Sequence, residues 1–301
     1  MLWFCGPENL DFDRSLDALY GKQVRLSPLV SRLLAPNPGP FTFKGTGVHI
    51  VDAGGQVAVI DPGPNLPEHI AALKAALGSR QLSHILVTHT HRDHCPAAAP
   101  LKAWSGAPIY GPPCSHVPMG QQSAVDEAHD PEFHPDIVVD DGMRIEGEGF
   151  GFECVATPGH TANHICFALA KEQALFSGDH VMGWSTSVIA PPDGNMGQYL
   201  ASLEKVLGRD EEIFYPTHGS PITAPKDWLR RLIDHRLMRE AQILTALAEQ
   251  ECDVAALTER LYPAIATALH GAAAQQIKAH LDHLAQKGAV VRTQTGYRPR
   301  T

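Results

Sequence analysis

Between Val87 and Pro96 the chain reads VTHTHRDHCP, which places His89, His91, Asp93 and His94 within six positions directly after the apolar run Ile85, Leu86, Val87. A short apolar run of this kind reads as a buried strand, and side chains along a strand alternate in direction until a turn gathers them. The strand therefore ends in several imidazole nitrogens and a carboxylate that converge on a small volume. Those are the donors that Zn2+ prefers. The arrangement recurs: TPGHT presents His160, FSGDH presents Asp179 and YPTHGSP presents His218, each after an apolar run and beside Gly or Pro. Loops at strand ends carry polar residues into shared clefts. A fold for this chain has to bring these ends together.

Composition narrows the choice. A length of 301 residues supports one large core with a small satellite. The net charge of -9 argues against a surface coated in cations to neutralise nucleic-acid phosphates. The charge is uneven, since residues 226–301 hold 11 Lys and Arg against 8 Asp and Glu, a net of +3 that leaves -12 for the rest. Six cysteines without a CxxC pair suit reduced thiols and a cytoplasmic protein. The first residues turn acidic with no basic-then-apolar leader, and no run of eighteen apolar residues occurs, so no membrane span is expected.

Short β-type runs alternate with helical patterns. VHIVD and VAVID flank a Gly-containing turn, and PEHIAALKAAL at 67–77 has helical spacing with Pro at its start. Residues 112–135 lose all periodicity and read as a long surface loop. Strands return between 136 and 179, followed by a helix at 197–208 and a strand ending in THG. The alternation predicts an α/β sandwich of sheets faced with helices. From 227 to 250 a long amphipathic helix is expected, with Leu229, Leu232, Ile233, Leu237, Ala241, Leu244 and Leu247 on its buried stripe. Two further helices and a short hairpin ending, AVVRTQTGYRPR, give the order of a winged helix. The expected division is an N-terminal extension at 1–40 packed on a catalytic domain at 41–225, then the long helix and winged helix at 226–301.

The residues at the strand ends carry a family resemblance. The chain resembles the metallo-β-lactamase superfamily, whose five motifs stand in order over residues 41–222: Asp61 in VIDPG, then HTHRDH, His160, Asp179 and His218. The resemblance implies an αββα sandwich with a small C-terminal winged helix, and a site for two Zn2+ that Mn2+ or Fe2+ can replace. His89, His91 and His160 would hold one ion, Asp93, His94 and His218 the other, with Asp179 between them. Asp61 would orient a histidine ligand from behind. Antibiotic-hydrolysing members of the commonest type differ by a Cys where Asp179 stands, and flavodiiron relatives by a Glu where His91 stands. Glyoxalase-type thioesterases share all seven ligands but not the C-terminal helices. FSGDHVMGWSTSV, YLASLEKVL and the winged-helix end are similar to the lactamase-β-like endoribonuclease branch and its bacterial relatives.

Such a ligand set implies hydrolysis by a metal-bridging hydroxide, because two metals about 3.5–4 Å apart lower the pKa of shared water from about 15.7 to near 7. Asp93 is expected to orient that water as well as bind metal. His180, beside Asp179, is a candidate for protonating the leaving group, or else a rim histidine. His164 is expected to give a supporting hydrogen bond. Ser185, Thr186, Ser187 and Tyr199 are candidates for the pocket wall, and Cys95 is not expected to act. The reactions left open are phosphodiester hydrolysis on single-stranded RNA and hydrolysis of a small-molecule carboxylic ester, lactone or thioester. A non-catalytic metal-binding protein is the third reading. The winged helix either packs, with a homodimer as one outcome, or contacts RNA.

Overall fold

The computed structural model describes residues 10–114, 128–264 and 269–300. Most of the expected 112–135 loop therefore lies outside the described residues. The first sheet begins antiparallel with β1 (Gln23–Arg25), β2 (Val30–Leu34), β3 (Gly47–Asp52) and β4 (Gln56–Ile60). It continues parallel through β5 (Gln81–Leu86), β6 (Ile109–Gly111) and β7 (Ile137–Val138). The parallel pairs β4–β5 and β5–β6 need crossovers, which α1 (Pro67–Leu77) and α2 (Ala98–Ser105) supply. Pro67 opens α1, where its missing N–H costs nothing, and Gly78 closes it at φ +60.

The second sheet runs β12-β11-β10-β9-β8, built from β8 (Arg144–Gly147), β9 (Phe150–Ala156), β10 (Ile165–Leu169), β11 (Ala174–Gly178) and β12 (Ile213–Pro216). Its strands are antiparallel except for the pair β11 and β12, which α3 (Met196–Leu207) joins. Period-two alternation assigns each strand's faces. Ile165, Phe167 and Leu169 of β10 enter the core between the sheets, while Cys166 and Ala168 face the helical layer outside. In the same way Ala58 and Ile60 of β4 face the second sheet, and Val57 and Val59 meet α1 and α2. The result is the expected αββα sandwich. Residues 23–25 and 30–34 lie in the first sheet itself, with β2 between β1 and β3.

Beyond the sandwich come α4 (Pro225–Glu249), α5 (Val254–Leu261) and α6 (His270–Gln286), then the hairpin of β13 (Val290–Arg292) and β14 (Tyr297–Pro299). Ile243, Leu247, Leu257, Ile277, Leu281 and Tyr297 make a separate small core there. The first turns of α4 pack instead on the sandwich through Trp228, Leu229 and Leu232. The expected apolar stripe on α4 needs correction. Leu237 is 44% exposed and Ala241 is exposed, whereas Arg236, Arg239 and Glu240 are buried in the middle of the helix. The periodicity holds at both ends of the helix, but its centre turns a charged face inward. Among the described residues no helix is long and apolar enough to cross a membrane.

One buried histidine gives the sandwich a pH signature. His49 on β3 is packed against the rings of Phe176 and Tyr215 at 5.3 and 5.7 Å. Burial, helped by the charge of Arg32, lowers its pKa from the ordinary 6.5 to about 3. The unfolded chain takes up that proton near pH 6.5 and the folded chain does not until about pH 3. Stability present above pH 6.5 is therefore lost as the pH falls through that window. Thermal melts of chelator-treated protein should show a falling melting temperature between pH 6.5 and 4, with a shallower fall in His49→Leu.

Candidate metal centre

The sequence-predicted residues meet at one end of both sheets. Asp61 follows β4, the segment 87–94 follows β5, His160 stands in the turn between β9 and β10, Asp179 follows β11 and His218 follows β12. Two glycines permit the approach. A Cβ on Gly159, at φ +144, would fall 2.3 Å from Tyr199 Cα, and one on Gly178, at φ +52, would fall 2.5 Å from His164 Nε2. A side chain at position 159 would collide with the Tyr199 backbone, and one at 178 with the ring of His164.

Three buried groups can each hold a cation, with ligand atoms within 4.8 Å of one another: His89, His91 and His160; His89, His94 and Asp179; Asp93, His94 and His218. The two oxygens of Asp179 face different partners. Oδ1 lies 3.6 Å from His94 Nε2 and 3.5 Å from His218 Nε2, and Oδ2 lies 3.9 Å from His160 Nε2. Asp93 Oδ2 lies 2.9 Å from His218 Nε2 and 3.2 Å from His94 Nε2.

The donor chemistry fits divalent metal. Asp93 Oδ1, His94 Nε2, His160 Nε2 and Asp179 Oδ1 are buried without a hydrogen-bond partner, a costly state that a bound cation removes. Behind them, the other ring nitrogens are engaged. His160 Nδ1 donates to Val188 O at 2.6 Å and His218 Nδ1 to Gly45 O at 3.1 Å, which turns each Nε2 toward the centre as the nitrogen available to a metal. His94 Nδ1 meets Asp61 Oδ2 at 3.0 Å. Asp61 also accepts from Thr88 N at 2.8 Å, Thr88 Oγ1 at 2.9 Å and Thr217 Oγ1 at 2.7 Å.

Burial and neighbouring rings hold His89 and His91 well below the usual histidine range, so both are neutral donors. Burial works against ionising Asp93 and Asp179, yet the facing histidines outweigh it: Asp93 stays well below the carboxylate range and Asp179 falls to about 2. The same carboxylates overcome the effect of burial on His94, which rises well above its usual range, and on His218, which rises to about 9. Two permanent carboxylates thus demand positive charge, which those two rings carry until a metal replaces their protons.

The cleft over this cluster is walled by Pro40, Phe41, Met182, Trp184, Val188, Ser185 and Thr186. Phe43 stacks on Trp184, ring centres 4.8 Å apart and planes 13° apart. Its φ of +56 is a strained backbone for a bulky residue. The side chain of Asn37 braces that loop by accepting from Thr46 N and donating to Thr46 Oγ1.

Other expected residues fall elsewhere. His180 does not line the cleft; it is fully buried edge-on to Tyr199, and burial lowers it to about 3, so near neutral pH it is an uncharged ring and not an imidazolium acid. Tyr199 is likewise behind the site, in α3. Ser187 turns its hydroxyl to His180 O at 2.9 Å. His164 gives the supporting bond, its Nε2 accepting from Asp179 N at 3.2 Å. Burial pushes the Cys95 thiol far up, and it faces only backbone carbonyls and Asp130, so it is no nucleophile. Residue pattern alone does not point to His129, whose ring lies 4.8 Å from His91 and bridges Asp193 Oδ2 at 3.0 Å to Thr90 Oγ1 at 2.6 Å. A lone histidine in an acidic loop carries no such signal.

Comparison with known proteins agrees with this geometry. Residues 43–218 match the family model described as metallo-beta-lactamase superfamily. The chain belongs to that superfamily. Residues 254–298 match the beta-lactamase associated winged helix domain. A beta-lactamase-like protein 2 homolog from Caenorhabditis elegans is 32% identical over 88% of this chain and 87% of its own length. An atrochrysone carboxyl ACP thioesterase from Aspergillus chevalieri is 34% identical over 75% of this chain and 68% of its own. The crystal structure of a metallo-beta-lactamase family protein from Thermus thermophilus has the same fold, with a TM-score of 0.76 at 22% identity over 92% of this chain and all of that one. The chain is therefore a hydrolase of the metallo-β-lactamase fold whose clustered histidines and aspartates suit a binuclear metal site.

Asp61 is the most exacting of the supporting groups. Asp61→Ala strands four buried donors, each worth about 1–3 kcal/mol when left unmade. The variant should lose at least about 3 kcal/mol of stability in denaturant melts and bind metal some 10–100-fold more weakly in chelator competition.

Proposed function

We propose that this protein hydrolyses a small-molecule thioester, or an ester with a comparably good leaving group, whose acyl part is apolar. The observation that carries the reading is the cleft wall. Among the described residues its lining consists of the metal-site groups, five apolar side chains and two hydroxyls, with no Lys or Arg. An RNA backbone would need cations there. An alkoxide leaving group would also need an acid, and the described cleft offers no titratable side chain outside the metal-site groups. A thiolate, with a pKa near 8.5 in its free form, leaves without one. The names of similar proteins, thioesterase among them, support the same class.

In this reading His89, His91 and His160 hold one ion, Asp93, His94 and His218 the second, and Asp179 joins them. Two zinc ions, when bound, would supply an activated water and polarise the acyl carbonyl. The chain's own part is to hold both ions through buried neutral rings and carboxylates, and to exclude water with Phe41, Met182 and Trp184. Trp184 Nε1 is buried without a partner, which suits it to donate to an oxygen of the bound acyl group. Asp93, hydrogen-bonded to His218, stays ionised and can accept a proton bond from the attacking water. We place the working boundary between the catalytic part and the C-terminal part near residue 225, where α4 begins.

The single-stranded RNA reading keeps two arguments, the resemblance of FSGDHVMGWSTSV, YLASLEKVL and the winged-helix end to the endoribonuclease branch, and the +3 of the tail. The second is weakened by pairing, because Lys278 is bound to Asp282 and Lys287 lies 3.7 Å from Glu240. A panel of an acyl thioester, an aryl ester, a lactone, a generic phosphodiester and short RNA, with and without chelator, separates the two. Chelator-sensitive turnover of the thioester is expected, with RNA left intact. RNA cleavage with a steep salt dependence would reverse the assignment. Asp179→Ala should lower turnover by on the order of 100-fold or more while far-UV circular dichroism stays unchanged. Trp184→Ala should raise KM for the acyl thioester.

A further inference from the structure

Loop 180–189, which contributes Met182, Trp184, Ser185, Thr186 and Val188 to the cleft, is anchored from the far side by the C-terminal helices. Trp228 Nε1 on α4 donates to Met182 O at 2.9 Å. Eight residues further along α4, about 12 Å, Arg236 Nη2 donates to Ser187 O at 2.6 Å. Gln276 of α6 donates to the same oxygen at 3.2 Å and accepts from Arg236 Nη1 at 3.2 Å. The guanidinium is 5.2 Å from the centre of the Tyr199 ring, and Arg236 is only 3% exposed. The next carbonyl along the loop, Val188 O, is the one that accepts from His160 Nδ1. The Ser187 hydroxyl meanwhile holds His180 O, adjacent to Asp179.

We propose that Arg236, assisted by Gln276, is a positioning residue for the metal pair, holding loop 180–189 so that His160 Nε2 and Asp179 keep their aim. A buried arginine is a costly choice for packing alone, because desolvating a cation has to be offset by bonds it makes. Here those bonds end on a carbonyl one peptide away from the support of a metal-site histidine. The winged-helix part then belongs to the centre: α6 supplies one of the two donors to Ser187 O. Ser187 O and Val188 O belong to consecutive residues, so the outer anchor and the support of His160 are separated by a single link of backbone.

This proposal rests on the binuclear reading of the site, but not on the substrate. The test is chelator competition for Zn2+ on the full-length chain, first stripped of metal. Arg236→Met should weaken the more loosely held equivalent about 10–100-fold. Arg236→Lys, which can still reach one carbonyl, should recover part of the loss, and Gln276→Leu should give a smaller shift in the same direction. Arg239→Met is the control, since that arginine is equally buried but stacks on Tyr262 and bonds Gln242 rather than the loop. It should lower the melting temperature and leave metal affinity unchanged. If Arg236→Met does not fold, the lysine and Gln276 variants decide. Parent-like affinity in the Arg236 and Gln276 variants, or an equal loss in Arg239→Met, overturns the proposal while leaving the metal site standing. A parent chain that binds no metal overturns both.

Discussion

The carboxylate of Asp61 is the junction on which the site depends. It has no exposed surface, stands at a φ of +48 that few non-glycine residues adopt, and accepts from four donors. Those donors come from both sheets: Thr88 and His94 follow β5 of the first, and Thr217 follows β12 of the second. A single buried anion thus sets the spacing of the sheets at the end where the cleft opens. It also determines which nitrogen of His94 faces inward. Gly47 N to Thr217 O at 2.7 Å makes the same tie through the backbone, and His218 Nδ1 to Gly45 O makes it from a side chain.

The electrostatics of the centre follow from that closure. Burial and neighbouring rings keep His89 neutral, whereas the carboxylates of Asp93 and Asp179 put charge on His94 and His218, so burial and pairing divide the histidines into two kinds within a few ångströms. Around them the wall is apolar and aromatic. A low-dielectric wall strengthens every interaction made inside it, and loop 180–189 is held on its outer side as well, by Trp228, Arg236 and Gln276. The inward-facing charged centre of α4 supplies one of these bonds, through Arg236.

Much of this is legible from residue pattern. Strand runs ending in the HTHRDH cluster, or in a His or Asp beside Gly, locate all seven clustered residues, because ligand chemistry leaves few substitutes and strand ends leave few directions. The winged helix shows in its order of helices and hairpin. The buried centre of α4 does not show, because helical periodicity counts apolar residues, and a stripe drawn through Leu237 and Ala241 passes by Arg236, Arg239 and Glu240. β2 is hidden for a related reason: VSRLL is buried on both faces, so Ser31 and Arg32 interrupt any alternation. Arg32 survives there because it donates to Gly219 O at 3.0 Å. His129 and Asp193 lie in loops that meet only in three dimensions, and no spacing along the chain relates them.

The tie between Asp61 and Thr217 spans 156 residues of sequence. A chain growing from its N-terminus displays the HTHRDH segment early, but the partners that enclose it arrive last. At about 5–20 residues per second, the interval between His94 and His218 is of order ten seconds of synthesis. Through that time the first sheet holds three clustered histidines and a carboxylate with no second sheet to aim them, and Asp61 lacks its bond from Thr217. Metal capture in the native arrangement is thus a late event in the birth of the molecule, and a prematurely ended chain that stops before β12 carries a loose chelating segment rather than half a catalyst.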